Sequence, residues 1–167
     1  ITACFGRDLA SSIAIEPVSR PAAKPPEDAT EFPFLPGVTP NFTQHFEMRW
    51  AAGDMPMSGS ANAAMGVWVR YKSEAEYSEA HLVAMMDVLP PAVLPMFKEM
   101  KPVSSLTWHL QLLSDLQGSD ARDSNGWWYV DVEASATANG YSQQQAVLYT
   151  PSGRAIAISQ QNVAVFG

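Results

Sequence analysis

The segment SEAEYSEAHLVAMMD, Ser73–Asp87, decides the fold class. It is rich in strong helix formers. Ser73 followed three residues later by Glu76 is a capping-box pattern, and the spacing of Tyr77, Ala80 and Val83/Ala84 predicts a helix to about Met86. Asp87 comes next, and VLPPAVL, Val88–Leu94, then breaks the helix on Pro90 and Pro91. Acids are usually kept out of such apolar runs, so the position of Asp87 needs an explanation.

Around this helix the pattern has a period of two, which predicts half-buried strands. In NFTQHFEMRW, Phe42, Phe46, Met48 and Trp50 share one face, with Asn41, Thr43, His45, Glu47 and Arg49 on the other. AAMGVWVRYK, residues 63–72, is β-branched and aromatic. After the helix, VSSLTWHLQLL sets Leu106, Trp108, Leu110 and Leu112 against Ser105, Thr107, His109 and Gln111. A polar loop from Ser114 to Gly126 leads to WWYVDVEASAT. Asn139-Gly140 signals a tight hairpin, YSQQQAVLYT returns, Pro151-Ser152-Gly153 turns again, and RAIAISQQNVAVF closes the chain. The order β-β-α-β-β-β-β predicts an α+β domain with a long antiparallel sheet and one central helix.

Upstream, Ile1 to about Arg7 reads as a short strand. Residues 21–40 carry six of the chain's 13 prolines, so they can form neither a helix nor a central strand and read as a semi-extended linker. The start has neither a Met nor a basic leader region, which suggests a trimmed or partial chain without a signal peptide.

The composition narrows the function classes. The 167 residues are enough for one domain, and 47% apolar with 16% charged residues describes a packed core rather than a disordered chain. No apolar run reaches the length of a membrane span. A net charge of −7 argues against nucleic-acid binding. The single cysteine, Cys4, allows no internal disulfide and fits a reducing cytoplasm.

Motif chemistry is sparse. There is no nucleophile elbow, no glycine-rich phosphate loop and no cluster with metal-ligand spacing, so no metal or cofactor is expected. His45, His81 and His109 are scattered. What remains is polar residues inside apolar patterns: Asp87 at the helix end, Ser105 early in the next strand, and Gln161, which alternation places with Ala155, Ala157, Val163 and Val165. A converging carboxylate, hydroxyl and amide could hold and activate a water. From spacing alone each also has an ordinary reading: a helix-end acid, a strand serine and a solvent-facing amide.

The same residues carry a family likeness. From about residue 41 onward the chain resembles the TesB-like type II acyl-CoA thioesterases, which are built from two hotdog domains. AMMDVLPPAVL matches the pattern around that family's catalytic aspartate at Asp87. SSLTWHLQLL matches the Ser/Thr that opens the next strand at Ser105, or at Ser104 in the neighbouring register. The final strand places the family's glutamine at Gln161, or at Gln160. Two features depart from the family: SLTWHLQLL lacks its Asp-His pair and Trp-Phe-His run, and Asn162-Val163 replace an acidic residue and Gly.

The resemblance implies a hotdog fold, with residues 1–20 a remnant of a preceding hotdog, 21–40 the connecting linker and 41–167 the second hotdog. It implies a cytoplasmic hydrolase of lipid metabolism in which Asp87 activates water against fatty acyl-CoA while Ser105 and Gln161 hold that water. The implied partners are acyl-CoA and a second hotdog half, either the missing one or another copy of the chain, with no nucleic acid and no membrane. Arg70, Lys72, Lys98 and Lys101 are candidates for the coenzyme A phosphates. The alternative is a non-catalytic hotdog that binds acyl groups or serves as an assembly partner. A hotdog hydratase is disfavoured because His81 stands six residues before Asp87.

Overall fold

The computed structural model describes residues 1–7, 9–15, 18–73, 77–113 and 126–166. Its elements are β1 (Thr30–Glu31), β2 (Phe46–Gly53), β3 (Ala64–Tyr71), α1 (Glu79–Met86), β4 (Val103–Leu112), β5 (Trp128–Ala138), β6 (Tyr141–Tyr149) and β7 (Ala155–Val165), with short 3-10 turns at Asn41–His45 and Leu94–Met96. The strands form one antiparallel sheet in the order β1-β2-β3-β5-β6-β7-β4.

The helix packs on one face of this sheet. Leu82, Met85 and Met86 are buried with Met48, Val67, Val69, Val130, Leu148 and Ile156 in the main core. Val83 and Ala84 are exposed. The expected Tyr77, Ala80, Val83/Ala84 face is therefore corrected to Leu82, Met85 and Met86, joined by the buried Tyr77. The helix also starts later than its composition suggests. Ser78 is its N-cap, and the Ser78 N–H donates to Nδ1 of His81 at 3.0 Å. Of the expected capping pair, Ser73 lies in a bend and Glu76 falls outside the described residues, as does most of the 114–126 loop.

Two further expectations change. Phe42 belongs to the 3-10 turn that precedes β2, not to the strand. Residues 1–7 form no strand and are exposed.

The Pro-rich segment is more than a spacer. Its first part, through Ala29, lies along the opposite face of the sheet, where Ala51, Trp68, Tyr129, Tyr149 and Ala155 form a second cluster against Ala23 and Ala29. Thr30–Glu31 then joins the sheet edge as β1, and Phe32 packs against the main core. The Trp68 indole N–H donates to the Lys24 carbonyl at 2.7 Å, and Arg49 Nη1 to the Pro26 carbonyl at 2.7 Å. The Arg20 guanidinium sits 4.6 Å above the Trp68 ring. Proline leaves carbonyls without competing N–H groups, so the sheet's side chains supply the donors.

The expected hairpin is present. Asn139 (φ 53°) and Gly140 (φ 80°) both adopt the left-handed conformation that a two-residue primed turn requires, which fixes the β5–β6 register.

Candidate functional site

Asp87 is the C-cap of α1. The two prolines that follow cannot continue the helix, so its end is fixed, and Asp87 lines a cavity of about 350 Å³. The cavity walls are Phe42, His45, Phe46, Tyr71 and Ala84. Desolvation by partial burial raises the Asp87 pKa above its ordinary 3.8. Burial and the neighbouring Tyr77 push the Tyr71 phenol up to about 12, so it stays protonated and donates to the His81 carbonyl at 3.1 Å. The 3-10 turn and the ends of β2 and β3 supply the aromatic wall, and the sequence reading assigned none of these residues to a site.

Ser105 and Gln161 come together directly. Gln161 Nε2 donates to Ser105 Oγ at 2.7 Å. A β-bulge makes this possible. The register slips between Ser105 and Thr107, so that Ser105 stands opposite Val163 while Thr107 stands opposite Asn162. Residues 161 and 163 share one face and residue 162 takes the other. The bulge therefore moves Ser105 onto the face of Trp108 and Leu110, away from the Thr107 face where strict alternation put it. A second slip, between Leu148 and Tyr149, moves Ala155 away from Gln161 and into the cluster on the opposite face. Of the neighbouring registers, Ser104 pairs with Ala164 and Gln160 with Gln145 and His109, both on the opposite face.

Gln161 is held at its other end as well. Its Oε1 accepts from Gln144 Nε2 at 2.7 Å, and Gln144 Oε1 accepts from the Ala92 N–H at 2.8 Å. Ala92 is buried in the loop that leaves Asp87. Because the Ala92 N–H can only donate, it determines which end of Gln144 it meets. That choice orients Gln161 and leaves the Ser105 hydroxyl hydrogen free to donate. Among the described residues no hydrogen bond joins Asp87 to Ser105 or Gln161; the link runs through this loop. Gln144 went unrecognised in the sequence, although alternation in β6 places it with the apolar Ala146 and Leu148, the argument that singled out Gln161.

The basic candidates diverge. Arg70 is bound to Glu47 at 2.7 Å and lies 4.4 Å over the Trp127 ring, and Lys101 pairs with Glu99 at 2.9 Å. Lys72 and Lys98 are exposed and enter no ion pair among the described residues. No group of three or more His, Cys, Asp or Glu among the described residues is placed to share a metal ion. None of their helices is long and apolar enough to cross a membrane.

One helix packed on a long antiparallel sheet is the hotdog arrangement, and comparison with known proteins agrees. The family model for the acyl-CoA thioesterase C-terminal domain matches residues 26–165, and the chain belongs to that family. A hotdog-fold protein from Alicyclobacillus acidocaldarius superposes with a TM-score of 0.81 at 19% identity, covering 95% of this chain and 59% of its own. Acyl-CoA thioesterase II TesB2 from Mycobacterium marinum gives 0.67 at 18% identity, covering 94% and 59%. A thioesterase from Haemophilus influenzae gives 0.55 at 11% identity, covering 75% and 82%. The chain thus spans less than two thirds of the first two structures. No curated protein matches the sequence.

Proposed function

We propose that this chain is the water-activating half of an acyl-CoA thioesterase that cleaves fatty acyl-CoA to free acid and coenzyme A. The observation that carries the reading is the Ser105–Gln161 contact with its fixed hydrogen-bond polarity. The Ser105 O–H and the second N–H of Gln161 offer two donors to the lone pairs of one water. Asp87, its basicity raised by the cavity, takes that water's proton. The oxygen bonds to the thioester carbonyl carbon, the tetrahedral intermediate collapses, and the C–S bond breaks. The departing thiolate recovers the proton from Asp87.

Membership of the thioesterase family supports the reaction class. The catalytic use of Asp87, Ser105 and Gln161 and the fatty acyl substrate are our proposal. So are a second hotdog half completing the cleft, and residues 1–20 and 21–40 as the tail of a preceding hotdog and its connection.

Thiol release from acyl-CoA esters of short to long chain tests the reading. It compares wild type with Asp87→Asn, on this chain and on one joined to a first hotdog. The expected loss is roughly a hundred- to ten-thousand-fold. No release from folded protein in either form would leave a binding or assembly module.

A further inference from the structure

We propose that Gln144 is a positioning residue for the hydrolytic site: it sets the orientation of the Gln161 carboxamide and ties that carboxamide to the loop bearing Asp87. The inference rests on the function proposed above and adds a residue to it.

Gln144 is only 7% exposed, in the middle of β6, where a buried amide must be matched at both ends. Its two partners come from different parts of the fold. One is the Ala92 N–H, the first backbone donor after two consecutive prolines, five residues beyond Asp87. The other is Gln161 Oε1 on the adjacent strand, directly opposite in register. Reversing Gln144 would set its NH₂ against the Ala92 N–H and its carbonyl against the Gln161 carbonyl, donor on donor and acceptor on acceptor. The orientation is therefore unique, and it passes to Gln161, whose NH₂ must then face Ser105. Nothing else among the described hydrogen bonds fixes which way Gln161 points.

Two variants separate this role from a purely structural one. Gln144→Met keeps the volume and removes both bonds. Gln144→Glu keeps an acceptor for Ala92 but, when ionised, offers Gln161 no donor, so the Gln161 amide turns its NH₂ away from Ser105. In the form that hydrolyses acyl-CoA, both variants should lose roughly ten- to a hundred-fold in kcat with little change in KM, the scale of a small misplacement of a reacting group. For Gln144→Glu, the kcat relative to wild type should recover as pH falls through the pKa of the introduced carboxyl, whose protonated form again donates.

A residue that only satisfied Ala92 would leave Gln144→Glu at wild-type kcat at every pH, and that result overturns the proposal. The side-chain amide resonance of Gln161, assigned by its disappearance in Gln161→Ala, provides a readout independent of turnover. It should shift and exchange faster in Gln144→Met. An unmoved resonance sinks the relay itself. A moved resonance in a protein that hydrolyses nothing sinks the proposed function, and the positioning role of Gln144 in hydrolysis with it.

Discussion

Asp87 sits where two effects oppose its charge. It caps the C-terminal end of a helix, where exposed carbonyls repel an anion, and it faces an apolar cavity. Its folded-state pKa is raised, so its contribution to stability is fully present below the ordinary 3.8 and is lost as pH rises through the folded value. Asp87→Asn cannot ionise. At neutral pH it should unfold at a higher temperature than wild type, by about 0.3–1 kcal/mol in free energy, toward the lower end because the side chain is solvent-accessible. Thermal melts at pH 7 and near pH 3 check this, since the advantage should vanish at the acid end. The hydrolysis rate should instead rise with pH through the same folded pKa, because only the carboxylate accepts a proton. Such a residue, costly to the fold and kept at the cavity, was visible in the sequence as an acid inside an apolar run. The aromatic wall around it was not, because Phe42, Phe46 and Tyr71 meet only through the pairing of β2 with β3.

The elements were legible where periodicity was unbroken and misread where the backbone slips. The hairpin at Asn139-Gly140, the end of α1 and the six long strands follow from local pattern. The face of Ser105 does not, because alternation cannot anticipate the bulge before Thr107. The helix start was misplaced because the Ser73–Glu76 spacing was taken as the cap, whereas the structure caps the helix at Ser78 with His81 completing it. The Pro-rich segment was read from composition as a linker, since hydrogen bonds from Trp68 and Arg49 cannot be seen in its own sequence. These bonds give a prediction for the strap as an element. Trp68→Phe keeps an aromatic ring but leaves the Lys24 carbonyl without its indole donor. Urea denaturation should show a loss of about 1 kcal/mol, the net worth of one such bond. No loss would mean that the Trp68 bond adds nothing net and that the strap is held by its other contacts, among them Arg49 on the Pro26 carbonyl and Arg20 over the ring.

At the scale of the whole molecule, the two edges of the sheet are unequal. β1 closes one side with two residues, too short to template another strand. β4 forms the other edge with ten, and it carries Leu106 at 54%, Trp108 at 37% and Leu112 at 40% exposure. An edge strand with this much apolar surface and few charges is where a second sheet adds. Ser105 lies on the same strand, so a partner there would also wall the site. On our proposal the occupant is a second hotdog half, and the chain studied alone should pair through β4 with a copy of itself. Sedimentation equilibrium should then show a dimer, with a melting temperature that climbs with protein concentration. Leu112→Lys combined with Leu106→Lys places charge along the edge while leaving Ser105, Gln161 and Asp87 in place. That variant should sediment as a monomer, remain folded by circular dichroism and lose the concentration dependence. A double variant that still dimerises would move the contact away from β4, and Ser105 would then face solvent rather than a partner.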